Sequence, residues 1–300
     1  MIDLLSGYAI FSLSTVLVFV ALATLLHLQF GLAGIVNFGV VGFWGLGMYA
    51  FGILLLNFQL PYFVALILAV AIVALVAFVL GWVVLDLDSQ AQLVATLAFA
   101  AVIADLVTTE KWLTKGVVGL GTVPHPFGGA QSALWLLLIL LVLTVGVIVY
   151  ARLLGRSPFG RLLAAIRDNE VLARNLGKDT SRAKLIFFTL TSAGMGLFGA
   201  LSAPVRQFLT PDLLGPGVTF SVWIALIVGG KRWPLGGLLG VLLTIFVFDF
   251  LIETYLRVPS DWAQIIPILK LMLYGVTLVL VLLFRPFGLL GDRRQPTSHL

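Results

Sequence analysis

Four ionisable residues lie within or near long apolar stretches of the sequence, where their charge could serve proton transfer. They are Asp105, Asp249, Glu253 and Lys270. A charge in an apolar span is costly, and it usually faces a partner group or water. These residues therefore fit either structural pairing between helices or a relay of protons. Structural pairing is the favoured interpretation, because no single stretch holds a dense acidic cluster.

The motifs that would carry enzymatic chemistry are absent from the sequence. It contains neither HExxH nor GxSxG, and in "LGKDTS" the preceding glycine of a phosphate-binding loop is replaced by Leu172. His27, His125 and His299 are far apart, and the chain has no cysteine. The sequence therefore predicts no catalytic residue, no metal site and no cofactor bound by this chain.

The densest group of charges lies in the stretch "RSPFGRLLAAIRDNEVLARNLGKDTSRAK", from Arg156 to Lys184. Eight of the 18 Lys and Arg residues fall between positions 152 and 184. Basic loops mark the cytoplasmic side of a membrane protein. We therefore expect residues 152–184, called the charged loop below, to be cytoplasmic.

Helix start and stop signals bracket most of the charged loop. Ser157 can cap a helix, Pro158 suits its first position, and Gly177 stands where a C-terminal cap glycine is expected. Between them only Gly160, in the first turn, disfavours a helix. The sequence predicts one helix of about four or five turns, and Asp179 then begins the start signal of the next span.

This predicted helix carries apolar residues beside charges of both signs, which suits a docking surface. The apolar members include Leu162, Ile166 and Leu176, and Arg161, Arg167, Asp168, Asn169, Glu170 and Arg174 are polar. A basic loop that lies on anionic lipid would show similar charges. On the residues alone, both interpretations stay open.

The chain that must position these residues is 61% hydrophobic and only 10% charged. Soluble domains carry about 25% charged residues, and the apolar residues here come in long runs, which indicates an all-α integral membrane protein. Runs that can cross ~30 Å of hydrocarbon predict about nine transmembrane helices, in a range of about eight to ten. They lie near residues 7–27, 31–56, 61–85, 91–110, 132–151, 185–204, 219–230, 235–256 and 265–284. The run 219–230 is too short for a full crossing and predicts a half-helix or a re-entrant element.

The orientation follows from counting crossings away from the charged loop. With that loop in the cytoplasm, Lys231, Arg232 and the polar tail 286–300 also fall inside, and the N-terminus falls outside. Lys111 and Lys115 fall outside, against the rule. We interpret the N-terminal stretch as a first membrane helix, because it lacks the basic region and cleavage site of a signal peptide. The whole of residues 1–300 is predicted to be one transmembrane domain without a linker.

A glycine-rich stretch near the N-terminus, "GLAGIVNFGVVGFWGLG", carries a polar residue in its middle, Asn37. Glycines at this spacing allow close helix packing, and they also permit a broken helix that lines a cavity. Under the packing interpretation Asn37 bonds to a neighbouring helix. Under the functional one, Asn37, Gly39, Gly42 and Thr96 line a translocation path.

Five blocks of the sequence resemble permease subunits of the branched-chain amino acid (LIV-type) ABC importer family. They are "GLAGIVNFGVVGFWGLGMYA", "ATLAFAAVIADLVTTEKWLTKGVVGLGTVP", "FGRLLAAIRDNEVLARNLGKDTSRAKLIFFTLTSAGMGLFGALSA", "LIVGGKRWPLGGLLGVLL" and "YGVTLVLVLLFRPFGLLG". They occur in family order over almost the whole chain. One block would be weak evidence, but five in order are specific.

The resemblance implies a transport subunit in a bacterial inner membrane, together with partners. These are two ATPase subunits that bind ATP and Mg, a second related permease and an extracytoplasmic solute-binding protein, with no nucleic acid. It also implies a coupling helix from Ala165 to Gly177 that docks on an ATPase. The residues implied in coupling are Ala165, Arg167, Asp168, Asn169, Glu170, Ala173, Leu176 and Gly177, with the Ala and Leu positions at the buried centre and the charges at its rim.

The implied substrate is a small polar solute, namely a branched-chain or other amino acid. Urea and short amides are the alternative substrates, because related permeases carry them. A proton-coupled secondary transporter that uses Asp105, Asp249 or Glu253 is the alternative from another class. The sequence does not assign the substrate, because specificity in such systems lies largely with the binding protein.

Overall fold

The computed structural model describes the backbone of residues 2–129, 131–230 and 236–244, with side chains from residue 7 onward. Beyond them it describes single positions at 272, 275, 276, 279 and 283. Most of the predicted spans 235–256 and 265–284 and the tail 286–300 lie outside the described residues. So do Asp249, Glu253 and Lys270, whose pairing or proton relay stays a prediction.

The described residues fold into helices joined by short turns. In chain order these are α1 (Ile2–His27), α2 (Val40–Leu56), α3 (Tyr62–Val84), α4 (Ser89–Thr109), α5 (Lys111–Thr114), α6 (Ser132–Arg156), α7 (Pro158–Asp168), α8 (Glu170–Asn175), α9 (Thr180–Arg206), α10 (Pro216–Gly229) and α11 (Gly236–Val241). A helix satisfies every backbone hydrogen bond within the segment, as an apolar environment requires. The predicted all-helical fold is confirmed over these residues.

Six stretches of the described chain are long and apolar enough to cross a membrane. They are Gly7–Leu32, Tyr62–Val84, Ser89–Thr109, Ser132–Arg156, Thr180–Arg206 and Pro211–Gly229. Helix α2 is equally apolar but shorter. The run predicted at 219–230 is thus extended at its N-terminal side, where a 3-10 turn at Pro211–Leu214 precedes α10. The predicted total of about nine spans stays a prediction.

The run predicted as one span over 31–56 is divided in the structure. Helix α1 continues into a π-helical turn at Leu28–Leu32, residues 33–39 are not helical, and α2 begins at Val40. Gly34 adopts a left-handed conformation with φ +72°, which an L side chain rarely adopts. Residues 33–39 are called the broken segment below. The broken helix that the glycines permit is therefore present in the structure.

Helix α9 lies at the centre of the described bundle and packs against α1, α2 and α3. Its contact with α2 is a contact of backbones. A Cβ atom added to Gly47 would lie 2.1 Å from the Gly196 carbonyl oxygen, and one added to Gly199 would lie 1.9 Å from that of Trp44. Small residues allow this approach between helices, so the packing role predicted for the glycine-rich stretch is confirmed for Gly47.

The outer faces of α3 and α6 expose large apolar side chains, among them Ile67, Trp82 and Val142. Exposed apolar surface of this extent on helices long enough to span a membrane fits contact with lipid tails. Only the inward faces of these two helices carry buried residues, such as Ala69 and Leu140. Helices α3 and α6 therefore pack against the bundle with one face and present large apolar side chains on the other.

Candidate functional site

The charged loop folds into two helices, α7 and α8, where one continuous helix was predicted. Ser157 caps α7, because its Oγ accepts a hydrogen bond from the Gly160 backbone N–H at 3.0 Å, and Pro158 occupies the first turn. Asn169 interrupts the helix with φ −159° and ψ 98°. Its side-chain oxygen accepts from the Leu172 N–H at 2.9 Å and so starts α8. The prediction was wrong at Asn169 because a short polar side chain there competes with the helical backbone.

Gly177 ends α8 as predicted. Its φ is +79°, its N–H donates to the Arg174 carbonyl at 2.9 Å, and the Lys178 N–H donates to the Ala173 carbonyl at 3.2 Å. These two bonds are those of a Schellman cap. The Asp179 side chain then accepts from the Arg182 N–H at 3.0 Å, which confirms the predicted start signal of α9.

One face of the two loop helices is buried against the rest of the chain. Ala173 packs with Ile166 and Ala183, and Phe159 and Leu162 lie against this cluster. Ala173 was expected at the centre of a docking surface. It is only 4% exposed, so in this structure it cannot have that place. Its small side chain instead lets α8 lie close to α7 and α9.

The opposite face of α8 exposes three large apolar side chains to solvent. Val171 is 70% exposed, Leu172 55% and Leu176 72%; we call these three residues the α8 apolar patch. Leu176 was singled out as a coupling residue, and Leu172 is another Leu position of the predicted coupling helix Ala165–Gly177, whereas Val171 was not assigned that role. Ala165, on α7, is exposed as well.

Two ion pairs lie on the loop helices, one at the end of α7 and one on α8. Arg167 contacts Asp168 at 2.9 Å, and Arg174 contacts Glu170 at 3.2 Å one helical turn away. Pairs this exposed contribute little to stability. The pair of Arg174 and Glu170 keeps two opposite charges on the same short helix as Val171 and Leu172.

Glu170 makes a second, more buried pair that fastens α8 to α9. The Lys184 Nζ lies 2.9 Å from Glu170 Oε1 and also donates to the Leu85 carbonyl at 2.9 Å. Lys184 is only 6% exposed. Burial alone would raise the pKa of Glu170, but the hydrogen bond and charge of Lys184 outweigh it, and the pKa is lowered.

The broken segment is held by a buried network of polar side chains. Asn37 donates through Nδ2 to Gln29 Oε1 at 2.8 Å. Gln29 in turn donates to the hydroxyls of Thr191 at 2.8 Å and Ser192 at 3.1 Å, both on α9. All four side chains are buried. We call these four residues the polar network.

Two other helices supply partners for the backbone of the same segment. On α4, Thr96 Oγ1 accepts from the Phe38 N–H at 2.9 Å, and Gln92 Oε1 from the Val36 N–H at 3.4 Å. On α10, Trp223 donates through Nε1 to the Asn37 carbonyl at 3.0 Å. These contacts supply the broken segment with hydrogen-bond partners, as buried polar groups require.

The path candidates Asn37, Gly39, Gly42 and Thr96 are thus brought together, and all four are buried. A Cβ on Gly39 would lie 2.9 Å from the Thr96 carbonyl oxygen, and one on Gly42 2.8 Å from the Phe99 ring. In this conformation the four residues serve packing and hydrogen bonding around the broken segment and the beginning of α2. Their contact with a solute stays a prediction.

A groove of about 470 Å³ lies beside these residues, between α4 and the segment 211–216. Its polar lining includes Asp105, Thr108 and Asp212, and Val41 at the beginning of α2 lines it as well. Asp105 is exposed and forms no ion pair within the described part of the chain. The groove therefore has two carboxylates, those of Asp105 and Asp212, in its lining and reaches the beginning of α2 at Val41.

The pattern of helices, the broken segment and the two-helix loop can be compared with known proteins. Residues 8–282 match the family of branched-chain amino acid transport system permease components. The chain belongs to this family. Permease components are transport subunits and not enzymes, in keeping with the absence of enzyme motifs from the sequence.

Individual relatives are 26% to 32% identical to the chain over the matched residues. The high-affinity branched-chain amino acid transport system permease proteins LivM of Salmonella typhimurium and Escherichia coli are each 26% identical over 304 residues, which covers 93% of this chain and 69% of LivM. The autoinducer 2 import system permease protein LsrC of Klebsiella pneumoniae is 32% identical over 176 residues, 56% of this chain and 48% of LsrC.

Three polar residues of this permease were not assigned a role from the sequence. Gln29 and Gln92 lie within apolar stretches, and an amide that lipid cannot satisfy is a usable signal of an interhelical contact. Lys184 was counted only as a basic loop residue. Its burial beside Glu170 depends on the turn at Gly177, which brings α8 back onto α9, and no local pattern encodes that contact.

Proposed function

We propose that the chain is one transmembrane subunit of an ATP-driven importer for a small polar solute, and that its charged loop docks on an ATPase subunit. The proposed solute is a branched-chain or other amino acid, with urea or a short amide as the alternative within the family. The complex would contain two ATPase subunits that bind ATP and Mg, a second related permease and an extracytoplasmic solute-binding protein.

The α8 apolar patch is the observation that carries this proposal. A large apolar side chain that moves from water into an interface contributes about 1.5–3 kcal/mol when fully buried. Two such side chains on a six-residue helix, and a third on its C-cap residue Leu176, are therefore unfavourable in water and would stabilise an interface. The ion pair of Arg174 with Glu170, on the same short helix, supplies a polar rim such as protein interfaces have.

The rigidity of the loop supports the same role. Helix α8 is capped at both ends, buried on its inner face through Ala173 and tied to α9 through the pair of Glu170 and Lys184. A loop that only lay on anionic lipid would need basic charge but no such fixation. A rigid helix can instead transmit a displacement of its partner to the spans.

The proposed orientation places the charged loop in the cytoplasm of a bacterial cell, with the N-terminus outside. It rests on the concentration of Lys and Arg between 152 and 184. Docking on an ATPase requires this orientation, because ATP is cytoplasmic. The C-terminus would then also be cytoplasmic.

The docking proposal is tested with a charge placed in the patch. We expect Leu172→Asp to remain in the membrane but to lose co-purification with the ATPase subunits, because the new carboxylate would be desolvated without a partner. Uptake of radiolabelled leucine, the probe for the proposed substrate class, should fall with it. Asn175→Asp places the same charge on an exposed position of the same helix and should keep both properties. Full ATPase association and uptake in Leu172→Asp would show that the patch does not dock.

A proton-coupled secondary transporter is a second candidate, because Asp105 is exposed within the apolar span Ser89–Thr109. The two mechanisms differ in their energy source. In proteoliposomes that hold the whole complex, ATP-driven import should continue with a protonophore and stop without ATP. The reverse result would establish proton coupling and exclude the ABC mechanism.

A further inference from the structure

Arg167 connects the charged loop to the broken segment in the membrane domain. It lies in the last turn of α7, and its Nη1 donates a hydrogen bond to the Gly31 carbonyl oxygen. The same guanidinium donates from Nε and Nη2 to Asp168 Oδ1, at 3.0 and 2.9 Å. Asp168 thereby fixes the orientation of the guanidinium that contacts Gly31.

The aliphatic part of Arg167 packs directly on Gly34, at the start of the broken segment. A Cβ atom added to Gly34 would lie 2.8 Å from the Arg167 Cγ and 3.3 Å from its Cβ. Gly34 also has φ +72°, so its backbone shape and its lack of a side chain both serve this contact. The side chain of Arg167 therefore touches the membrane domain at two points three residues apart.

Both neighbours of this contact are themselves well fixed. On the loop side, Ile166 is buried in the cluster with Ala173, so a displacement of α8 is passed to the end of α7. On the membrane side, the segment that follows Gly34 is hydrogen-bonded to α4 through Thr96, to α9 through the polar network and to α10 through Trp223. A displacement of Gly31 and Gly34 would reach three spans.

We infer that Arg167 is the positioning residue that transmits movement of the docked loop to the broken segment and so couples ATP hydrolysis to opening of the path. This inference rests on the proposed function, because it assumes that the loop docks on an ATPase. Arg167 acts through its contacts with Gly31 and Gly34 and does not itself contact the ATPase or the solute. Loss of these contacts should therefore uncouple the two processes while the complex remains assembled.

The main test replaces Arg167 by methionine, which keeps an apolar stem over Gly34 but removes the guanidinium. This variant removes the charge-assisted hydrogen bond to Gly31, so we expect the leucine transported per ATP hydrolysed to fall by about tenfold or more. ATPase association should stay at the wild-type level. Stimulation of the ATPase by liganded solute-binding protein should be lost, and a purely structural role would not produce this combination.

Arg161→Met is the matched control on the same helix. Within the described residues Arg161 donates to the Arg156 carbonyl of the loop, at 3.0 Å, and its loss should leave coupling unchanged. Arg167→Lys should restore part of the coupling, because the ammonium keeps the charge but cannot donate to Gly31 and Asp168 in the same fork geometry. It also serves as the milder variant if Arg167→Met fails to accumulate in the membrane.

Three outcomes would overturn the inference. Wild-type coupling in Arg167→Met would show that the contact transmits nothing, and loss of ATPase association would place Arg167 in the docking surface itself. Full coupling in Arg167→Lys together with a loss of folded protein in Arg167→Met would assign a structural role. Failure of the docking proposal is recognised separately, because Leu172→Asp would then keep its ATPase subunits whatever Arg167 does.

Discussion

At the scale of single residues, the charged loop owes its shape to side chains that satisfy two partners at once. Glu170 pairs with Arg174 on its own helix and with Lys184 on α9. Asn169 ends one helix and caps the next. Residue types and local spacing predicted the caps at Ser157, Gly177 and Asp179, because each cap depends only on its own backbone. The pairing of Glu170 with Lys184 could not be predicted, since it depends on how the loop folds back.

Glu170→Gln should destabilise the docking of α8 on α9, because it leaves the buried Lys184 ammonium without a counter-charge. We expect the free energy of unfolding to fall by about 1–3 kcal/mol at neutral pH. The thermal unfolding midpoint of the purified protein in detergent measures the loss. The double variant Glu170→Gln with Lys184→Met removes both partners and should recover part of it. A single variant as stable as the wild type would show that the pair contributes nothing.

The same pair predicts a dependence of stability on pH. The pKa of Glu170 in the folded protein lies below its ordinary value of 4.5. Its stabilising effect is therefore present above pH 4.5 and is lost as the pH falls through the lowered pKa. The difference in unfolding midpoint between the wild type and Glu170→Gln should shrink over that acidic range. A difference that stays constant there would assign the effect to something other than ionisation.

At the scale of elements, sequence periodicity predicted where the long helices lie but not where they break. The apolar run 31–56 has no proline to end it, and residues 33–39 leave the helix because side chains from α1, α4 and α10 bond to them. Those partners are distant in sequence, apart from Gln29. The same limit applies to Ala173, whose burial depends on α9. Close packing of α2 was easier to predict, because glycine spacing alone indicates it.

Gly47→Ala tests the contact between α2 and α9. The added methyl group would lie 2.1 Å from the Gly196 carbonyl oxygen, so the helices must separate, at a cost of about 1–3 kcal/mol. The amount of folded protein extracted from the membrane and its unfolding midpoint should both fall. Gly146→Ala is the control, because nothing lies within 4 Å of its added Cβ and alanine favours a helix. Equal stability of the two variants would contradict the packing described for α9.

At the scale of the whole molecule, the described residues form a bundle around α9 with two distinct surface features, an apolar patch and a groove. The charged loop presents the α8 apolar patch, and the groove between α4 and residues 211–216 presents Asp105 and Asp212. The beginning of α4 lies on the side of the charged loop, because Ser181 donates to Asp86 just before that helix at 3.1 Å. Asp105 and Thr108, which line the groove, lie near the other end of α4. An importer whose ATPase docks at the patch would take up its solute from the side of the groove.

This arrangement predicts which chemical labels reach each part of the chain. The native sequence has no cysteine, so single cysteines report their own position. Asn175→Cys lies on the exposed face of α8 and Gly128→Cys in the exposed segment before α6, and a Cβ at Gly128 meets nothing within 4 Å. Because basic loops stay in the cytoplasm, a membrane-impermeant maleimide added to intact spheroplasts should modify position 128 and spare position 175. Inverted vesicles should give the opposite result. Labelling of position 175 in intact spheroplasts would place the loop on the side without ATP, and neither the docking proposal nor the coupling role of Arg167 could then stand.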